Sequence, residues 1–198
     1  MNKRDDILQA AERLFYNNGF HATSTDQICR EAGVSTRTLY HHFPSREALT
    51  ISVMAARRAR FFGDLLPAQH PQALRRLFET LGEWTEQYGA QGCFFIKAWG
   101  EYAEKDAMLA AHALDYRYAL RRYIGDCVAD ERLANAVWML FEGAVISALM
   151  LGADAAKHAG DAAARPSEVS ADTVCPAAPE GQPCLFVSGT PVGVNDYS

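Results

Sequence analysis

The sequence predicts an all-α protein made of a small N-terminal three-helix unit and a larger helical body. Three observations carry this. Apolar residues recur at three- and four-residue spacing through successive segments, the period of an amphipathic helix. Those segments open on capping residues and close on glycine or proline. No stretch before residue 184 alternates well enough to read as a strand. With 198 residues, 49% hydrophobic and 22% charged, the chain has ordinary globular composition. That excludes a largely disordered chain, a collagen-like one and a cysteine-stapled miniprotein.

The first helix follows from Ile7, Ala11, Leu14 and Phe15, and Asn18-Gly19 stops it. Ser24-Thr25-Asp26-Gln27 has the form of a capping box, opening a short helix that turns Ile28, Cys29 and Ala32 inward and ends at Gly33. Ser35 caps the next helix, Thr36 to about Phe43, which Pro44 ends. Ser45 caps a fourth, Arg46 to about Phe62. In the body, Pro71 suits the first turn of a helix running to Tyr88, and Gly89 and Gly92 break it. Helices from Cys93 to Ala103, from Ala107 to about Cys127 and from about Asp130 to Ala153 follow.

Leu133 to Ala153 is long enough to span a bilayer, but Glu142 falls near its middle, and its flanks carry no basic bias. A helix buried in a core or a dimer interface fits better, and no membrane partner is expected. Asp154 to Arg165 leaves room for one short helix more. Residues 166–198 hold five of the eight prolines and no Lys or Arg, the composition of an irregular tail, with Cys184 to Val187 as one possible short strand. Five cysteines with no CxxC pair read as reduced thiols. Asp5-Asp6 stands where the apolar core of a secretion signal would begin, so a cytoplasmic protein is expected.

Charge divides unevenly. Residues 1–60 hold nine Lys/Arg against six Asp/Glu, a net +3, and the remainder ten against eighteen, a net −8. A basic module on an acidic body is the pattern of a polyanion binder. Helix, short turn with glycine, helix is the helix-turn-helix arrangement, which offers the start of its second helix to base edges in the DNA major groove. Here those residues are Thr36, Arg37 and Thr38, with Tyr40 and His41 one turn on. Arg37 alone among them can make a bidentate contact to guanine. Thr25 and Arg46, at helix starts, are placed to hold phosphate, and Ser35 is a further DNA-binding candidate. Leu39, Phe43 and Cys29 read as core. Arg57, Arg58 and Arg60 suit either phosphate contact or a solvated face.

Leu14 to Leu49 closely resembles the DNA-binding domain of the tetracycline-repressor (TetR) family of bacterial regulators. The matching residues are Gly19-Phe20, Thr23-Ser24, Ile28, Ala32-Gly33-Val34-Ser35, Leu39-Tyr40, Phe43 and Ser45. Gly92-Cys93-Phe94-Phe95-Ile96, Glu101-Tyr102, Leu133-Ala134 and Glu142-Gly143-Ala144 are similar to one subgroup of the family. The resemblance implies a DNA-binding domain over residues 1–48, a connecting helix over about 46–62, and an effector-binding and dimerisation body over 63–165. It implies a homodimer that binds double-stranded operator DNA and answers to a small-molecule effector. A ligand entering the body would displace the connecting helix.

The body's aromatic residues supply candidates for an apolar cavity: Trp84, Tyr88, Trp99, Tyr102 and Tyr116, with His112 as a polar tip. For each of them plain core packing is the alternative. His112 with Cys93, or His41 with His42, are conceivable metal pairs, but no cofactor or metal site is predicted. The interface is expected on the long apolar helix, where Gly143, Ala144, Ser147 and Ala148 allow close approach and Leu151 lies beside them. No Ser-His-Asp, HExxH, GxSxG or phosphate-loop pattern occurs. If the fold did carry an enzyme, Glu142 would be the best acid, although pairing with a nearby arginine explains it better. A nonspecific architectural DNA binder is the other alternative, which the acidic body disfavours.

Overall fold

The computed structural model describes residues 2–164, and the tail over 166–198, with its possible strand, lies outside them. Among the described residues there are nine helices and no strand: α1 (Lys3–Asn18), α2 (Thr25–Ala32), α3 (Thr36–His42), α4 (Arg46–Gly63), α5 (Ala73–Tyr88), α6 (Phe94–Tyr102), α7 (Ala107–Cys127), α8 (Glu131–Leu151) and α9 (Asp154–Ala163).

The local signals act as their chemistry dictates. Ser24 Oγ accepts from the Gln27 N–H, and Gln27 Oε1 accepts from the Ser24 N–H, so the capping box is complete. Gly33 closes α2 in the left-handed region, at φ 62°. Ser35 and Ser45 cap α3 and α4 through the N–H groups of Thr38 and Ala48. Two boundaries move: α8 ends at Leu151, where Gly152 stops it short of Ala153, and Pro71 sits before α5 rather than in its first turn. The residues around it form turns instead, with the His70 N–H bonded to the Pro67 carbonyl and the Ala73 N–H to that of His70.

The N-terminal unit encloses Ile7, Ala11, Phe15, Phe20, Ile28, Leu39, Phe43 and Leu49 at 2% exposure or less. Burying each of the isoleucine, leucine and phenylalanine side chains among them contributes about 1.5–3 kcal/mol. Helix α4 runs from this unit into the body, where Phe61 meets Trp84 and Tyr116 edge-on. The Trp84 indole donates to Asp64 Oδ2, just past the end of α4, tying α5 to that junction. Helix α7 packs against α4, α6 and α8. Helix α8 turns Val137, Phe141, Ala144 and Ala148 inward, and Glu142 at its middle pairs with Arg117 of α7. Its length and apolar character would suit a bilayer, but this inner stripe and the ion pair are those of a packed helix.

Helix α9 buries only alanines, Ala155, Ala156, Ala159 and Ala163, which brings its backbone close to α5 and α8. A Cβ on Gly160 would lie 3.0 Å from the Phe78 Cβ. Gly160→Val is therefore expected to push α9 off α5 and to cost about 1–3 kcal/mol, the usual range for overpacking, read as a lower urea midpoint with unchanged slope.

Candidate nucleic-acid interface and effector cavity

Helix α3 presents a polar outer face. Leu39 is 1% exposed and anchors it, while Ser35, Thr36, Arg37, Tyr40 and His41 are exposed and Thr38 is half-buried. Thr25 is half-exposed at the start of α2. Ser35 Oγ is engaged by its own helix, accepting from the Thr38 N–H and lying 2.9 Å from Thr38 Oγ1. The Arg46 side chain departs from the phosphate-holding role expected of it. Its Nη2 donates to the carbonyls of Phe20 (2.9 Å) and Thr23 (2.8 Å), and the guanidinium lies over the Phe15 ring. It is a strut of the three-helix unit, because two otherwise unpaired turn carbonyls sit within its reach.

Arg57 likewise turns inward rather than toward phosphate or solvent, while Arg60 stays exposed and bends back to α1. Arg57, 8% exposed, donates to Glu12 Oε1 at 2.6 Å, and Arg60 Nη2 reaches both oxygens of the same carboxylate. The Arg57 guanidinium is also packed among the rings of Tyr16, Trp84, Tyr88 and Phe94, at 4.9–5.3 Å. Glu12 and Tyr16 belong to α1, Arg57 to α4, Trp84 and Tyr88 to α5, and Phe94 to α6. One cation thus joins four helices.

On the body side of Arg57 lies a cavity of about 70 Å³. Its wall includes Phe61, Trp84, Cys93, Phe95, Tyr116, Arg117, Phe141 and Ala148, together with Tyr16 from α1. Phe95 and Tyr116 stack at 3.8 Å with their planes 9° apart. Full burial pushes the Tyr116 hydroxyl far above its ordinary pKa, so the phenol stays neutral. Arg117 Nη1 lies 3.6 Å from the Cys93 sulfur.

Only Trp84 and Tyr116 of the six expected pocket residues line this cavity. Tyr88 faces an outer groove with Glu12, Arg13 and Arg60. Trp99 is 42% exposed, because the inner stripe of α6 is Phe94, Phe95, Ala98 and Tyr102 and Trp99 falls one residue past it. Tyr102 is buried, but against Phe20 and His21 of the N-terminal unit. His112 is exposed, one residue before the inward-facing Ala113 of α7, and so makes no pair with Cys93.

Three side chains lock the N-terminal unit to the body. The Tyr16 hydroxyl lies 3.0 Å from the Gly89 carbonyl and 2.9 Å from that of Gly92, and accepts from the Gln91 N–H. Lys97 Nζ donates to the Tyr16 carbonyl at 2.9 Å. Glu101 Oε1 accepts from the Phe20 N–H, and Oε2 from the His21 N–H and imidazole. Sequence reasoning did not find these contacts. Glu12 and Arg57 did leave a signal, since each interrupts an otherwise apolar i, i+4 row: Leu8–Glu12–Tyr16 and Leu49–Val53–Arg57–Phe61.

The outer face of α8 differs from the expected interface. Ala144 and Ala148 are buried inside the protomer, at 3% and 6% exposure. Gly143 and Leu151 are exposed and Ser147 is half-buried. The exposed seam is Ala136, Met139, Gly143, Ile146 and Met150, spaced alternately by three and four, with Ile146 61% and Met150 82% exposed.

A helix-turn-helix unit with a free polar face on its second helix, carried on an all-helical body, defines a DNA-binding regulator. The model of the family described as bacterial regulatory proteins, tetR family, matches residues 7–53. The chain is 44% identical over 149 residues to the HTH-type transcriptional regulator UidR of Escherichia coli (strain K12), a match covering 75% of this chain and 76% of that one. It is 34% identical over 112 residues to the HTH-type transcriptional regulator QacR of Staphylococcus aureus, covering 54% and 60% of the two chains. The fold is shared with the regulatory protein TetR from Rhodobacter sphaeroides, at a TM-score of 0.67 and 20% identity, over 81% of this chain and 96% of that one. The chain belongs to the TetR family and is a helix-turn-helix transcriptional regulator.

The Glu101 clamp has a pH signature. Burial opposes ionisation of this carboxyl, but the N–H groups of His21 and Phe20 and the His21 ring outweigh it, holding the carboxyl below its usual range. A group whose folded value is depressed stabilises the protein above its unfolded pKa, about 4.3 for glutamate, and loses that effect as pH falls through the folded value. Glu101→Gln is expected to melt lower than wild type at neutral pH, with the gap closing below about pH 4 in a pH series of thermal melts.

Proposed function

We propose that the protein acts in the cytoplasm as a homodimeric repressor of transcription, released from a pseudo-palindromic operator by a small apolar or aromatic effector. Residues 1–48 read DNA, α4 connects, and residues 63–165 bind effector and dimerise. The observation that carries the reading is the exposed Thr36–Arg37–Tyr40–His41 face of α3, backed by the buried Leu39. Thr25 and the N–H groups at the start of α2 complete it as phosphate contacts. One such helix makes too small an interface for operator affinity, and a dimer places two of them at half-sites about 34–36 Å apart or at multiples of that.

The effector site is the aromatic cavity bounded by Trp84, Phe95 and Tyr116. At about 70 Å³ it holds little more than a few waters, so a ligand enters only as the helices around it part. Its release of DNA then requires stronger binding to the parted, DNA-incompetent dimer than to the closed one. For dimerisation, the Met139–Gly143–Ile146–Met150 seam of α8 is the surface a second copy would cover, with the outer side of α9 beside it. A 3-4 spacing of apolar residues is the pattern by which two helices pack along a shared seam.

Two experiments test this. Selection of bound sequences from random duplex DNA is expected to yield a palindromic motif. Arg37→Ala should relax it at one base position per half-site and cost about 1–3 kcal/mol there. No enriched motif would defeat the reading. Ile146→Glu places a charge on the seam, and is expected to sediment as a monomer and to lose operator binding while its helical content stays unchanged.

A further inference from the structure

We propose that the effector is an organic anion, an aromatic ring bearing an acid group, and that Arg57 and Tyr116 select it. This rests on the reading of the aromatic cavity as the effector site and narrows its aromatic effector to an acidic one. The cavity wall is lopsided in charge. Arg57 and Arg117 both line it, and among the described residues no Asp, Glu, Asn, Gln or His joins them.

The two arginines are compensated unequally. Arg117 pairs one to one with Glu142. Arg57 shares the Glu12 carboxylate with Arg60, so two guanidiniums stand against one acid. One positive charge is left over at a node whose inner member is only 8% exposed. A buried charge short of its counterion is costly, and an anion arriving beside it offsets that cost.

The hydrogen-bonding groups lean the same way. A guanidinium carries five N–H donors, and among the described residues Arg57 makes one hydrogen bond, from Nη1 to Glu12. The rings packed around it supply π faces rather than lone pairs. The Tyr116 hydroxyl has no hydrogen-bond partner among the described residues, and burial keeps its proton in place to donate. The other side-chain polar groups of the wall are engaged. The Tyr16 hydroxyl is held by the Gly89–Gly92 loop, the Trp84 indole donates to Asp64, and the Thr85 hydroxyl donates to the Leu81 carbonyl. What remains is a set of spare donors, a spare positive charge and no carboxylate. A planar acid group fits that remainder, because its two oxygens match the fork of a guanidinium. A cation entering the same space would meet two arginines whose acids are already taken.

The test uses molecules that differ in charge and little in shape. Benzoate, benzamide and benzamidine share one ring and carry a negative, a neutral and a positive planar head group. The 2-naphthyl series repeats the comparison with a larger ring. Binding to the full-length protein is followed by tryptophan fluorescence and by calorimetry. In at least one series the acid is expected to bind about tenfold or more tighter than the amide, with the amidine weaker still. Tyr116→Phe removes one hydroxyl, and Arg57→Lys keeps the charge but loses the fork. Each should cut the acid's advantage over the amide to about threefold or less. A residue that only held the fold would lower both affinities together and leave their ratio unchanged. Tyr116→Phe carries the comparison if the lysine variant does not fold. Amide or amidine binding as tightly as the acid, or a ratio unmoved in the folded variants, overturns the anion assignment and leaves the cavity as the effector site. No binding by any compound of either series overturns the cavity reading first, and this inference with it.

Discussion

The buried guanidinium of Arg57 is the constraint on which the rest of the molecule turns. A cation out of water is costly, and removing one partner of a buried ion pair typically destabilises a protein by about 3–5 kcal/mol. Arg57 is accommodated by Glu12 at 2.6 Å and by four aromatic rings, and these partners come from α1, α5 and α6. Satisfying one charge therefore requires the N-terminal unit, the connecting helix and the body to dock together. Arg60 shares the Glu12 carboxylate from the more exposed side and gives it a second cation.

The same node separates two spaces. Outside it lies a polar groove between α1, α4 and α5, and inside it the aromatic cavity. Tyr16 belongs to both, and its hydroxyl bonds the Gly89–Gly92 loop that forms part of the cavity rim. The wall of the body cavity is thus partly made of the DNA-binding unit. On the reading proposed above, an occupant of this cavity would touch the N-terminal unit directly, and a coupling between the two would need no long pathway.

The body helices each divide their faces between two tasks. Helix α6 lines the cavity at one end and holds a backbone turn at the other. Helix α8 packs Val137, Phe141, Ala144 and Ala148 inward and leaves Met139, Ile146 and Met150 outward. Small residues on α8 suggested an interface of Gly143, Ala144, Ser147 and Ala148, but the smallness of Ala144 and Ala148 serves packing within the protomer. The outward face was legible in the 3-4-3-4 spacing of Ala136, Met139, Gly143, Ile146 and Met150, a periodicity that composition alone hides.

The sequence by itself determined the parts whose physics is local. The caps at Ser24, Ser35 and Ser45, the left-handed stop at Gly33 and the buried Leu39 are decided within a few residues of each other. They place Thr36, Arg37, Tyr40 and His41 on an open face with no reference to the body. Only the tertiary structure decided what depends on residues some 20 to 80 positions apart. It turned Arg46 and Arg57 into the interior, left Trp99 and His112 outside the cavity, and brought Glu101 to the turn at Phe20. The reason is geometric: one residue step on a helix turns a side chain by about 100°, so an aromatic or a charge near the right place in sequence still faces whichever neighbour the packing supplies.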